Sequence, residues 1–413
     1  MEPRGESIET PYGWTVALTS MVMVSVGFGA MYLIVVGMLP VSQEFGWPRS
    51  VPSLANGLVW MGAGIGGVFM GYWADRRGAG ETSLVAGFAL AAGCIMAGMM
   101  QGEGSLYFSH FVLLGAFGNG ALMAPLFANT TRWFDRHRGF ALALAGSGQS
   151  VAGMIWPPLF RYLMDEYGWR DVMIGYGVLA LALILPLHLV LRRNPPTPVA
   201  SIPQDSKAAG VLPAGILLGG LSFSLTHFLL CAAIVTCCVA MAMPMVHLMA
   251  HAIDLGFAPA RGAEMLSLML ACGFVSRLGF GIMADRIGGI RTILFGSIAQ
   301  LVTLALFIWV DGLAGLYIAA ALFGFAFGGL VTTYSFAARE VFPENQAGWR
   351  IGIILLSGTT GMAAGGYVGG FVFDLAGTYT TAFTTGVAFN AVNLAIMLFL
   401  LARLRPVQTP QAA

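Results

Sequence analysis

The chain has 413 residues, 57% of them hydrophobic and only 9% charged. A water-soluble domain carries about 25% charged residues, so a soluble globule is excluded. What remains is an all-α bundle in lipid, where each backbone polar group is satisfied within its own helix. The formal net charge of +1 gives no footprint for a nucleic-acid partner.

Residues 1–13 form a polar tail that runs into an apolar stretch with no A-x-A-like cleavage site, so the first helix is expected to be retained. A span needs about 20 mostly apolar residues. By that test helices fall near 14–40, 51–74, 82–101, 105–131, 139–160 and 170–191, a six-helix bundle over 14–191. In helix two, Gly62, Gly64, Gly66 and Gly67 read as a packing surface, since lipid supplies no hydrophobic drive for association and small residues let helices approach. Asn119, set amid Gly115, Gly118 and Gly120, would face a cavity. Gly146-Ser147-Gly148-Gln149 and Pro157-Pro158 permit a bend in helix five.

The stretch 192–220 opens with Arg192-Arg193-Asn194-Pro195-Pro196-Thr197-Pro198 and continues through Pro203, Asp205 and Lys207, which marks a solvent-exposed linker. A second set follows near 221–250, 262–284, 290–310, 313–337, 350–373 and 379–402, then a tail at 403–413. Twelve transmembrane helices in two pseudo-symmetric bundles, 14–191 and 221–402, are therefore expected. In helix eleven, Gly361, Gly365, Gly366, Gly369 and Gly370 again read as packing surface.

Basic residues fall in alternate loops: Arg76, Arg77, Arg132, Arg136, Arg138, Arg192, Arg193, Lys207, Arg286, Arg291, Arg339 and Arg350, with Arg4, Arg403 and Arg405 at the termini. The opposite loops hold only Arg49, Arg161, Arg170 and Arg261. The positive-inside rule puts both termini and the linker in the cytoplasm, so a multi-pass protein of the plasma or inner membrane is expected.

Two octapeptides repeat G-x-x-A-D-R-x-G, one at 71–78 and one at 281–288, an offset of 210 residues. Such duplication is a mark of transporters. Gly71 and Gly281 are read as allowing close helix approach. Asp75 and Asp285 can pair with arginine or cap the following helix, and Arg76 and Arg286 complete charged loops that would hold one conformation shut.

The paired octapeptides resemble the loop signature of the major facilitator superfamily, over essentially the whole chain. Further segments resemble its monocarboxylate transporter-like branch and the related oxalate/formate antiporters. They are Tyr12-Gly13-Trp14, Phe45-Gly46-Trp47-Pro48-Arg49, Arg132-Trp133-Phe134 with Arg138-Gly139, Gly168-Trp169-Arg170, Pro244-x-x-His247-Leu248, and Phe373-Asp374 with Gly377-x-Tyr379. The resemblance implies two halves that rock about a midplane cavity, and a helix-eight arginine that binds the substrate carboxylate, a position matched by Arg277.

Arg277 also stands out without the resemblance. Its neighbours Phe274, Val275, Leu278 and Phe280 leave it in an apolar helix, where an arginine costs ~2.5–3.5 kcal/mol on insertion scales. It lies eight residues before Asp285, roughly 12 Å of helix at 1.5 Å per residue, which is deep for snorkelling. A guanidinium can hold a carboxylate bidentately without losing its charge; a structural ion pair is the alternative reading. His247 can bind substrate, carry a proton or satisfy a local backbone group. Tyr32, Asn119 and Tyr334 can contact an anion or act as interhelical glue, as can Asn56, Gln149 and Asn393.

Two departures limit the analogy. Family carriers place a lysine in helix one and an aspartate four residues before the arginine, whereas helix one here has neither lysine nor acid and the latter position is Gly273. Proton coupling therefore stays open, through His247 or an acid near a helix end such as Glu264. Helix eleven lacks the second cation of the oxalate/formate antiporters, which favours a monoanion such as lactate or pyruvate. Export or antiport of a dicarboxylate or drug-like solute, or a transport-inactive sensor, are the alternatives. No Walker-type loop, C-x-x-C pair or nucleophile–base pair stands out, so no metal, cofactor or enzymatic activity is expected, and the chain is expected to act as a monomer. The five cysteines, Cys94, Cys231, Cys237, Cys238 and Cys272, read as small apolar packing residues.

Overall fold

The computed structural model describes residues 7–193, 195, 221–342 and 344–403. Arg4, Lys207 and Arg405, with most of the 192–220 linker, lie outside the described residues. Every regular element among the described residues is helical, and eleven helical segments are long and apolar enough to cross a membrane. Contacts divide the chain into two units, Met1–Ser201 with Ala258–Ser267, and Ile202–Phe257 with Leu268–Ala413.

In the first unit, α1 (Pro11–Val36) begins where Thr10 accepts from the Gly13 amide and Pro11 occupies the first turn. It stops four residues earlier than expected. Gly37 separates it from a short α2 (Met38–Phe45), which Gly46 closes at φ +66°. There follow α3 (Ser50–Arg77) and α4 (Ala79–Gly98). The fourth span is composite: α5 (Glu103–Phe108), a π-helical stretch (Ser109–Asn119) and α6 (Gly120–Thr131). The fifth divides at Ser147 into α7 (Arg138–Gly146) and α8 (Gly148–Tyr167), and α8 runs seven residues past the expected end. It holds Arg161, ion-paired to Asp165, and is not among the eleven apolar segments. The unit's last helix is α9 (Trp169–Leu191).

The second unit contains α10 (Phe223–Asp254), most of α11 (Pro259–Ile287), α12 (Gly289–Trp309), α13 (Leu313–Phe327), α14 (Leu330–Val341), α15 (Glu344–Ala376) and α16 (Tyr379–Ala402). The break between α13 and α14 falls at Gly328-Gly329, which the 210-residue offset maps onto Gly118-Asn119 at the end of the π-helical stretch.

The glycine runs are packing surfaces in both units. A Cβ on Gly62 or Gly66 would sit 2.2 Å from the carbonyl oxygens of Phe111 and Ala116 respectively, so α3 touches the π-helical backbone directly. On α15, Gly361 and Gly365 meet the Val235 and Val239 carbonyls of α10 in the same way, at 2.5 and 2.3 Å.

Candidate functional site

Arg277 sits in α11, ten residues before its end at Ile287 and roughly 15 Å of helix from it. The Gly328-Gly329 break leaves backbone carbonyls without helical partners, and α11 serves them. Arg277 Nε donates to Gly328 O at 3.2 Å, and Ser276 Oγ donates to Phe325 O at 2.5 Å. A Cβ on Gly328 would lie 2.1 Å from Gly273 O, so this close approach needs glycine. Among the described residues Arg277 has no carboxylate within ion-pairing distance, and its remaining N–H groups have no partner.

His247, in the same unit, is fully buried. Its Nε2 lies 2.8 Å from Gly366 O and its Nδ1 3.3 Å from the Tyr379 hydroxyl. A carbonyl can only accept, so Nε2 carries the proton, and in the neutral ring Nδ1 accepts from Tyr379. Gly369 gives the ring its room, since a Cβ there would meet His247 Cδ2 at 2.6 Å. No hydrogen bond joins Arg277 to His247 or to Tyr334.

The Tyr334 hydroxyl, fully buried, donates to Asn393 Oδ1 at 2.8 Å. Asn393 in turn donates to Ser297 Oγ and Asn390 Oδ1, which ties α12, α14 and α16 together. In the first unit Asn119, 2% exposed, donates to the carbonyls of Gly27 and Leu114, both at 3.1 Å, while its Oδ1 has no partner. Tyr32, 5% exposed in α1, has no hydrogen bond to another described residue.

In the octapeptide loops Asp75 pairs with Arg132 at 2.7 Å, and Arg76 stacks over Tyr72 at 4.1 Å. Asp285 is exposed with no partner among the described residues, and neither aspartate caps a helix. The Gly289 amide at the start of α12 donates instead to Glu340 Oε2 at 2.8 Å. The expectation for Gly71 and Gly281 is corrected, because a Cβ at either would meet nothing within 4 Å. The last glycine of each repeat is the constrained one, with φ +87° at Gly78 and +86° at Gly288.

His251, one turn beyond His247 on α10, carries no sequence motif. It is 5% exposed, packs edge-on against Tyr379 and Phe383, and has an unpartnered Nε2. The i, i+4 spacing of the two histidines was the available signal.

Separate short segments of the sequence meet in space. Tyr12 and Trp14 pack on Trp133 and Phe134, with ring centroids 5.2 and 4.7 Å apart. Glu44 receives Trp169 Nε1 at 2.7 Å and Arg170 at 2.8 Å, and Phe45 stacks on Trp47. Hydrogen bonds from Arg170 hold the Glu44 carboxyl below the usual carboxylate range, against the opposing effect of burial. Tyr379 joins Phe373, at 4.4 Å, to His247.

A sequence model of the Major Facilitator Superfamily matches residues 18–348 and 228–413. The chain belongs to this superfamily. Superfamily relatives include monocarboxylate transporter 13 of Bos taurus, 25% identical over 413 residues, 97% of this chain and 92% of the relative. The MFS-type transporter pynF of Aspergillus niger is 25% identical over 310 residues, 73% of this chain and 68% of its own. In fold, this superfamily member is similar to an inward-facing bacterial homolog of the human lysosomal transporter Spinster, with a TM-score of 0.68, 14% identity and 96% of each chain covered. It is an integral multi-pass membrane transporter of the superfamily type.

Proposed function

We propose that this chain is a secondary transporter of a small organic anion, a monocarboxylate of lactate or pyruvate size, which works by alternating access. The observation that carries the reading is Arg277: a permanent charge within an apolar helix, held by one carbonyl and matched by no carboxylate among the described residues. A substrate carboxylate would supply the missing counter-charge, and its arrival would lower the cost of enclosing the guanidinium. The names of the monocarboxylate transporter 13 relatives support the substrate class. Proton coupling, the finer part of the proposal, would run through the α10 histidines, with both termini cytoplasmic.

Uptake of radiolabelled lactate, pyruvate and acetate into proteoliposomes, with and without an imposed pH gradient, tests substrate and coupling together. Arg277→Ala is expected to lose saturable uptake by at least about 100-fold, the scale of a lost charged contact, while keeping the wild-type melting temperature within a few degrees. Wild-type transport by that variant removes the assignment. A neutral solute that competes where carboxylates do not would point to a different cargo.

A further inference from the structure

A cavity of about 370 Å³ lies within the first unit, where the ends of α3, α6 and α9 meet the start of α4. Five arginines line it, Arg76, Arg77, Arg132, Arg192 and Arg193, against two carboxylates, Asp75 and Glu81. Asp75 is paired with Arg132. The other four arginines have no carboxylate partner among the described residues; Arg76 and Arg193 stack on Tyr72 and Tyr12. Asn129 also lines the cavity, and although only 7% exposed its Nδ2 donor has no partner. The first turn of α4, residues Ala79 to Glu81, forms part of the wall and has no side-chain cap.

The second unit shows what this place in the repeat holds. There the matching helix start, Gly289, donates its amide to the Glu340 carboxylate. At the 210-residue offset Glu340 corresponds to Thr130, so the first unit lacks a carboxylate at that position; Glu81 stands in the first turn of α4, whose start has no side-chain cap. Where one unit supplies an internal anion, the other presents unpaired arginines, an orphaned amide donor and an open helix N-terminus.

We propose that this cavity binds a phosphate-bearing anion from outside the chain, an anionic phospholipid headgroup in the cytoplasmic leaflet or a soluble phosphate. Arg77, Arg192 and Arg193 supply charge, Asn129 Nδ2 donates to a phosphate oxygen, and the α4 amides complete the cradle. The arginine-rich loop ends place the cavity at headgroup level on the side assigned to the cytoplasm.

Native mass spectrometry of the purified full-length protein tests this with phosphatidylglycerol, phosphatidylcholine and inorganic phosphate as probes. Wild type is expected to retain phosphatidylglycerol at least ~10-fold better than phosphatidylcholine, and the R77Q/R192Q/R193Q variant to lose that preference. Asn129→Asp, which keeps side-chain shape but replaces the donor with a negative charge, is expected to weaken binding at least ~5-fold. It decides the matter if the triple variant does not fold. Displacement of the lipid by millimolar inorganic phosphate supports the site and assigns it to a soluble phosphate; resistance to displacement assigns it to lipid. Equal retention of both lipids by wild type with no phosphate binding, or phosphatidylglycerol binding unchanged in Asn129→Asp, overturns the proposal.

Discussion

Within G-x-x-A-D-R-x-G, the backbone makes its demand at the second glycine. Gly78 and Gly288 turn the chain at φ +87° and +86° with ψ 159° and 160°, a region open essentially to glycine alone, while Gly71 and Gly281 face open space. Gly78→Ala is therefore expected to lower stability by roughly 1–3 kcal/mol, and Gly71→Ala by less than about 0.5 kcal/mol or not at all. Thermal melting of the two variants in detergent checks the order, and equal losses would contradict it. Arg277 was legible in the sequence because a charge in an apolar run has few structural explanations. Its Gly328 carbonyl, 51 residues away, was not, and neither was the Asn393 acceptor of Tyr334, because nothing local to either residue encodes its partner. The burial of His251 was hidden for the same reason: the rings that enclose it come from α16.

Helical periodicity and apolar length located most spans, because in lipid the backbone has few other solutions. They misplaced the irregular parts. The first expected span runs across Gly37 into α2, and the fourth and fifth are composite, since a hydropathy window averages over breaks that leave composition unchanged. The short aromatic and charged segments are weak as isolated strings, and their pairing in space explains them. In the clasp between α2 and α9, the lowered pKa of Glu44 fixes the sign of a pH effect. Its stabilisation is fully present above the ordinary glutamate value, about 4.3, and is lost as pH falls through the lower folded value. Glu44→Gln is expected to destabilise the protein at pH 7 by at most ~1 kcal/mol, because the pair is solvent-screened. The gap to wild type should narrow as pH falls below the ordinary glutamate value. A gap that stays constant with pH would assign Glu44 a packing role instead.

At the scale of the whole molecule, the duplication is kept in the backbone and abandoned in the charges. A helical irregularity recurs, as a π-to-α change after Asn119 and as the Gly328-Gly329 break, and positive-φ turns recur at Gly78 and Gly288. The ion pair of Asp75 has no counterpart at Asp285 among the described residues, and Gly67 stands where the second repeat has Arg277. Arginine bias in alternate loops predicts cytoplasmic termini. A fluorescent protein fused after Ala413 should therefore fluoresce, and alkaline phosphatase inserted near residue 257 should be active; the reverse pattern would invert the topology. The sequence by itself determined the membrane class, the repeat, the family resemblance and the isolated charge at Arg277, since each follows from composition or local pattern. Tertiary structure alone decided which glycines are obligatory, where Tyr334 and His247 direct their hydrogen bonds, and that arginines without carboxylate partners line one cavity. Those facts depend on backbones and side chains far apart in the chain coming within a few ångströms, and no local pattern records that proximity.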